Sequence, residues 1–203
     1  MAKTESTLKN MVLTLLVITG VAGTSLGFMF ELTKGPIEAA KKAKQEAAIK
    51  MVMPEFDSLE KDTTIANTNF FRASSNGELV GIAIEAVSPK GFSGNIKIMV
   101  GFKPDGTIIN YQVLEHKETP GLGTKMADWF KTDKGKQSIL GKHPETNKLT
   151  VSKDGGEVDA ITAATISSRA FLDAVRIAYE TYNDNKSNEP VAANTSAEEG
   201  GTE

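Results

Sequence analysis

The chain has 203 residues, 24% of them charged and 39% hydrophobic, with a net charge of −3; that is enough for one globular domain with appendages and too little for two large ones. An aromatic content of 6% without a basic excess gives no surface suited to tracking a phosphate backbone, which argues against a nucleic-acid partner. There is no cysteine and there are two histidines, His116 and His143, so thiolate ligation, iron–sulfur clusters and histidine-rich metal sites are excluded within this chain. Any redox chemistry falls to an organic cofactor.

Residues 1–10 form a short N-terminal segment. From Met11 to Phe30 the chain runs twenty residues without a charge, and a helix of that length spans roughly 30 Å, the thickness of a hydrocarbon core. A retained transmembrane helix is expected. A signal peptide cleaved among the small residues Ala22–Ser25 is the alternative, weakened because the apolar run continues to Phe30. Lys3 and Lys9 precede the span, but Lys34, Lys41, Lys42, Lys44 and Lys50 follow it, so lysine counting leaves the sidedness open.

Lys34-Gly35-Pro36 is expected to turn the chain, with a helix from about Pro36 to Met53 stopped by Pro54. Residues 31–74 then read as a juxtamembrane helix and connection, its lysines forming a solvated face or a contact with anionic lipid. The centre switches to a period of two: Val80, Ile82 and Ile84; Ile96, Ile98, Val100 and Phe102; Ile109, Tyr111 and Val113. Lys103–Thr107 is a turn by its Pro and Gly, so strands 95–102 and 108–117 should form an antiparallel hairpin. Lys125 to Leu140 suggests a helix, Leu149 to Ser152 a short strand. A last helix capped by Ser167 or Ser168 places Phe171, Ala174, Val175, Ala178 and Tyr182 on one face and ends near Asp184. Residues 185–203 are small, polar and acidic, a composition expected to stay disordered. Strands followed by segregated helices define an α+β class, with the folded domain at 75–184.

Three loops hold the candidate chemistry. Gly91-Phe92-Ser93-Gly94 precedes a strand and, alone, is a tight turn. Glu118-Thr119-Pro120-Gly121-Leu122-Gly123 joins a strand to a helix, and its Pro-Gly pair predicts a type II turn. The third is Asp159-Ala-Ile-Thr162-Ala163-Ala164-Thr165-Ile-Ser167-Ser168. Taken without further context it is an ordinary connection ending in a serine cap.

This third segment resembles the flavin-attachment motif D-x-x-[S/T]-G-A-T of the FMN-binding domain family. Asp159, Thr162, Ala164 and Thr165 match it, and Ala163 stands where glycine is common, which puts in doubt a need for positive φ there. The other two loops resemble that family's glycine-pair strand and P-G-L-G turn in the same order, over roughly residues 75–180. The resemblance implies FMN bound as a phosphoester of Thr165. A separate flavin transferase that consumes FAD would install it, in keeping with a threonine that has no evident base beside it. Ser167, Ser168 and free amides at the helix start would assist the phosphate. Leu122, Pro120, Gly121, Gly123 and Glu118 would lie near the ring, with Met126, Trp129 and Phe130 as further neighbours or core.

Length and layout look most like the G subunits of Rnf-type ion-translocating oxidoreductase complexes. That likeness implies an electron-relay role between ferredoxin and NADH linked to ion movement, partner membrane and redox subunits, and a globular domain on the outer, periplasmic side. A flavin-free structural or assembly subunit on the same fold, and a flavinylated carrier for a different reductase, are the competing expectations.

Overall fold

The computed structural model describes residues 7–62 and 68–187. It divides into two compact units, Met1–Glu46 and Ala47–Glu203. Most of the tail expected to be disordered lies outside the described residues; its first three positions belong to the last helix.

Helix α1 runs Leu8–Val52 without interruption, with Pro36 inside it. The expected turn at Lys34-Gly35-Pro36 is therefore absent. Pro36 removes one hydrogen bond and its ring crowds the Leu32 carbonyl, a local cost that the long helix carries, whereas stopping the helix would demand a second unfavourable nucleation. The flanking Ala, Lys and Glu are strong helix formers, and the Thr33 hydroxyl bonds back to the Met29 carbonyl at 2.7 Å. Within the first unit, an apolar stretch of mean hydropathy 1.9 has none of its surface buried. By length and composition it is able to cross a membrane.

The second unit is built on a five-stranded antiparallel sheet in the order β1 (Ser58–Asp62), β2 (Phe70–Ser75), β3 (Glu78–Gly91), β4 (Gly94–Phe102) and β5 (Ile108–Glu115). The α+β class and the β4–β5 hairpin match expectation. β1 and β2 do not: they fall in the stretch expected as a connection. Their concealment has a physical cause. Phe70 packs with the cluster on one sheet face and Phe71 with the cluster on the other, so a strand buried on both faces shows no alternation. β1, Ser-Leu-Glu-Lys-Asp, is a polar edge strand. The local signal that could have revealed β2 is Asn76-Gly77, both at positive φ (53° and 83°) between β2 and β3.

On one face of the sheet lies α3 (Thr165–Ser187). Its Phe171, Ala174, Val175, Ala178 and Tyr182 are buried against Ile82, Ile84, Ile96, Ile98 and Val100, the face expected from their spacing. Phe130 stacks on Phe171 with ring centres 4.5 Å apart. The opposite face receives the end of α1, where Ala48, Ile49, Val52 and Met53 meet Phe71, Ala83 and Met99. The Val52 carbonyl sits where a Cβ on Gly101 would come within 1.9 Å of it, so only a bare backbone admits the helix end.

The helix expected from Lys125 to Leu140 shrinks to α2, Met126–Trp129. Gly135 takes φ 61°, and Asp159 captures the Lys136 amide at 3.0 Å, so the chain leaves the helix for a loop held by side-chain bonds. The strand expected near Leu149 is a single parallel bridge, Val151 to Val158, followed by a 3-10 turn at Ser152–Asp154.

Candidate functional site

The three loops singled out in the sequence meet at one cleft. Phe92 comes from the β3–β4 turn; Glu118, Thr119, Leu122 and Gly123 from the segment after β5; Ala163, Ala164, Thr165, Ile166 and Ser167 from the entry to α3. The cleft has a volume of about 330 Å³, within the range of small-molecule sites. Phe92 is 67% exposed, Ile166 48% and Leu122 39%, so its mouth has an apolar rim drawn from all three loops.

Local chemistry sets each loop. Thr119-Pro120-Gly121-Leu122 closes with the Leu122 amide donating to the Thr119 carbonyl at 3.2 Å, and Gly121 takes φ 76°, the type II turn expected of its Pro-Gly pair. Pro120 and Gly121 are exposed and shape the turn without lining the cleft. Before α3, the Ala164 amide donates to the Ile161 carbonyl at 2.9 Å, with Ala163 at φ 61°. Positive φ is thus retained although alanine replaces the glycine that suits it, at a cost of about 1 to 2 kcal/mol.

α3 begins at Thr165, two to three residues earlier than expected. The Ser168 amide already bonds to the Ala164 carbonyl, which makes Ala164 the cap position and puts both serines inside the first turn. Thr165 is therefore the first helical residue rather than one ahead of the helix. The N–H groups of Thr165, Ile166 and Ser167 have no partner within the helix by its geometry, so the unpaired donors of the helix start lie at Thr165 itself. Ser168 caps nothing. It is fully buried, accepting from the Ile161 amide and donating to the Ala164 carbonyl, each at 2.9 Å, and so pins the turn to the helix.

Glu118 is the centre of the arrangement. Only 5% exposed, it accepts a hydrogen bond from the Ser167 hydroxyl at 2.5 Å and from the Ser93 amide at 3.1 Å. Its own amide donates to His116 Nδ1 at 3.2 Å. A Cβ on Gly91 would approach Glu118 Oε1 to 2.8 Å, and one on Gly123 would approach both Oε2 and Ser167 Oγ to 2.7 Å. Both glycines leave the space that the carboxylate fills.

Other residues picked from the motif lie elsewhere. Asp159 does not line the cleft; it accepts from the Lys136 amide at 3.0 Å and the Ser152 hydroxyl at 2.8 Å, bonds that hold its carboxyl below the usual range. Its carbonyl takes the Trp129 indole N–H at 2.9 Å. Thr162 is exposed beside the turn. Met126 and Phe130 are fully buried in the core. Phe92, Thr119, Ala163 and Ile166 line the cleft without having been assigned to it from sequence. Phe92 carried a signal, being a large aromatic stranded between two turn glycines.

An apolar-rimmed slot with a threonine hydroxyl at a helix start, beside amides that have no partner in the helix, suits a flat, phosphate-bearing organic molecule. The model of the FMN-binding domain family matches residues 91–180, the stretch that contains all three loops. The fold and site thus define an FMN-binding domain behind an N-terminal apolar helix.

Three relatives are each named as the G subunit of an ion-translocating oxidoreductase complex. The protein of Vibrio vulnificus (strain YJ016) is 37% identical over 188 residues, covering 84% of this chain and 88% of the relative. That of Aliivibrio fischeri (strain MJ11) is 34% identical over 189 residues, covering 83% and 89%. That of Vibrio atlanticus (strain LGP32) is 44% identical over 117 residues, covering 56% and 54%. This chain belongs to the family of ion-translocating oxidoreductase G subunits.

Proposed function

We propose that the chain is the flavin-carrying electron-transfer subunit of a membrane-bound, Rnf-type ion-translocating oxidoreductase complex, with FMN held as a phosphoester on Thr165. The observation that carries this is the position of Thr165: first residue of α3, lining the cleft where all three loops converge. The flavin would supply the redox chemistry, cycling electrons between a donor and an acceptor in partner subunits. The chain's part is to bind, orient and shield. The helix-start amides and macrodipole stabilise the phosphate charge, and Phe92, Leu122 and Ile166 offer the ring an apolar surround. The same rim leaves the mouth open to a partner.

Among the described residues no histidine or other base is hydrogen-bonded to the Thr165 hydroxyl, so a transferase is the sensible agent. FAD would be cleaved as the threonine oxygen takes its FMN phosphate and AMP departs. The apolar part of α1 would anchor the chain as a single span, with the second unit on the outer, periplasmic face and ferredoxin- and NAD-linked subunits as complex partners. The subunit would not turn over a substrate alone.

Co-expression with a flavin transferase tests the attachment. The wild type should gain the mass of FMN and fluoresce on a denaturing gel, and Thr165→Ala should do neither. No added mass in the wild type, with a transferase shown to act on another acceptor, would overturn the proposal. Added protease should digest the second unit in spheroplasts; protection there would reverse the sidedness.

A further inference from the structure

Resting on that reading, we infer that Glu118 is the positioning residue of the flavin cleft, presetting its shape before the cofactor arrives and placing a fixed negative charge beside the ring. Glu118 is reached from the other two loops across long chain separations. Ser93 lies 25 residues before it and Ser167 49 residues after it. Both bonds are donated to the carboxylate, one to each oxygen. No cation is paired with it among the described ion pairs, so its charge is offset by two dipoles rather than cancelled.

Two consequences follow. The first concerns shape. A Cβ on Gly123 would strike the carboxylate and Ser167 Oγ, and one on Gly91 would strike first the Gly94 carbonyl and then the carboxylate; Ser167 is two residues from Thr165 on the first turn of α3. Glu118 thereby fixes the β3–β4 turn and the post-β5 turn against the helix that bears the acceptor hydroxyl. The second concerns electrostatics. An anionic side chain that is itself buried in the wall of the cleft opposes added negative charge on a ring held there. The bound flavin is accordingly harder to reduce than it would be beside a neutral residue.

The test uses the full chain in detergent, with and without transferase treatment. In the untreated protein, amide exchange at Ser93 reports the clamp directly, because Ser93 is an exposed turn residue whose N–H is protected by Glu118. Glu118→Ala should speed that exchange at least tenfold, while Glu118→Gln, which keeps an acceptor oxygen, should leave it close to wild type. In the flavinylated protein, Glu118→Gln should shift the midpoint potential to more positive values with the FMN mass retained. Unchanged Ser93 exchange in Glu118→Ala refutes the clamp, and an unchanged potential in Glu118→Gln refutes the electrostatic role. If the wild type takes up no FMN, the attachment proposal fails separately, and the exchange measurement still decides whether Glu118 holds the loops.

Discussion

Ala163→Gly should stabilise this protein, contrary to the usual effect of introducing glycine. Ala163 adopts φ 61° in the turn that delivers Thr165 to α3, a region where a Cβ crowds its own backbone by about 1 to 2 kcal/mol. Removing the methyl group relieves that cost. Against it stands the greater freedom of glycine in the unfolded chain, about 0.4 to 1 kcal/mol. Ala163 is exposed, so little buried surface is lost with its methyl. The balance is a gain of about 0.5 to 1 kcal/mol, or roughly 1 to 4 °C in Tm for a chain of this size. Thermal unfolding of the full chain in detergent, followed by circular dichroism, reads it directly. Ala163→Val should move the other way by more than a degree, since a β-branched residue is still less suited to this region. A fall in Tm for the glycine variant would refute strain in the turn before α3.

Two further outcomes rest on bonds that hold α3 in place. Ser168→Ala leaves the buried Ile161 amide and Ala164 carbonyl without their side-chain partner; it should cost about 1 to 3 kcal/mol by urea unfolding and slow flavin incorporation, because the turn before Thr165 loosens. Asp173 ties α3 to the end of β3 by accepting from Ser88, Lys90 and Arg176. Burial disfavours its charged form, but those three donors prevail and bring its carboxyl down to about 2. A pKa depressed on folding gives stability that is present above the unfolded value near 4 and is lost as pH falls from there toward 2. Wild type should therefore exceed Asp173→Asn by about 1 to 2 kcal/mol near neutral pH, allowing for screening at the exposed Lys90 and Arg176. The gap should close in urea titrations between pH 4 and 2; a gap independent of pH would show that the effect is packing, not charge.

Where a feature depends on the conformational limits of a few neighbouring residues, it was legible from the chain alone. The apolar length of α1, the alternation along β3 to β5, the Pro-Gly turn at 120–121 and the buried stripe of α3 are of that kind, each set by side-chain period or by allowed φ. The three loops that line the cleft could be picked out in order, although the sequence could not show that they meet. β2 was hidden because burial on both faces erases the period that marks a strand, and the loop after α2 because it is held by the Asp159 carboxylate, which accepts from the Lys136 amide 23 residues before it. The structure alone assigned Asp159 to holding a neighbouring loop and Phe92 to the cleft rim, and it placed Glu118 where two other loops bond to it. These are contacts between residues far apart in sequence. They form only once sheet and helix have packed, and no local pattern encodes them.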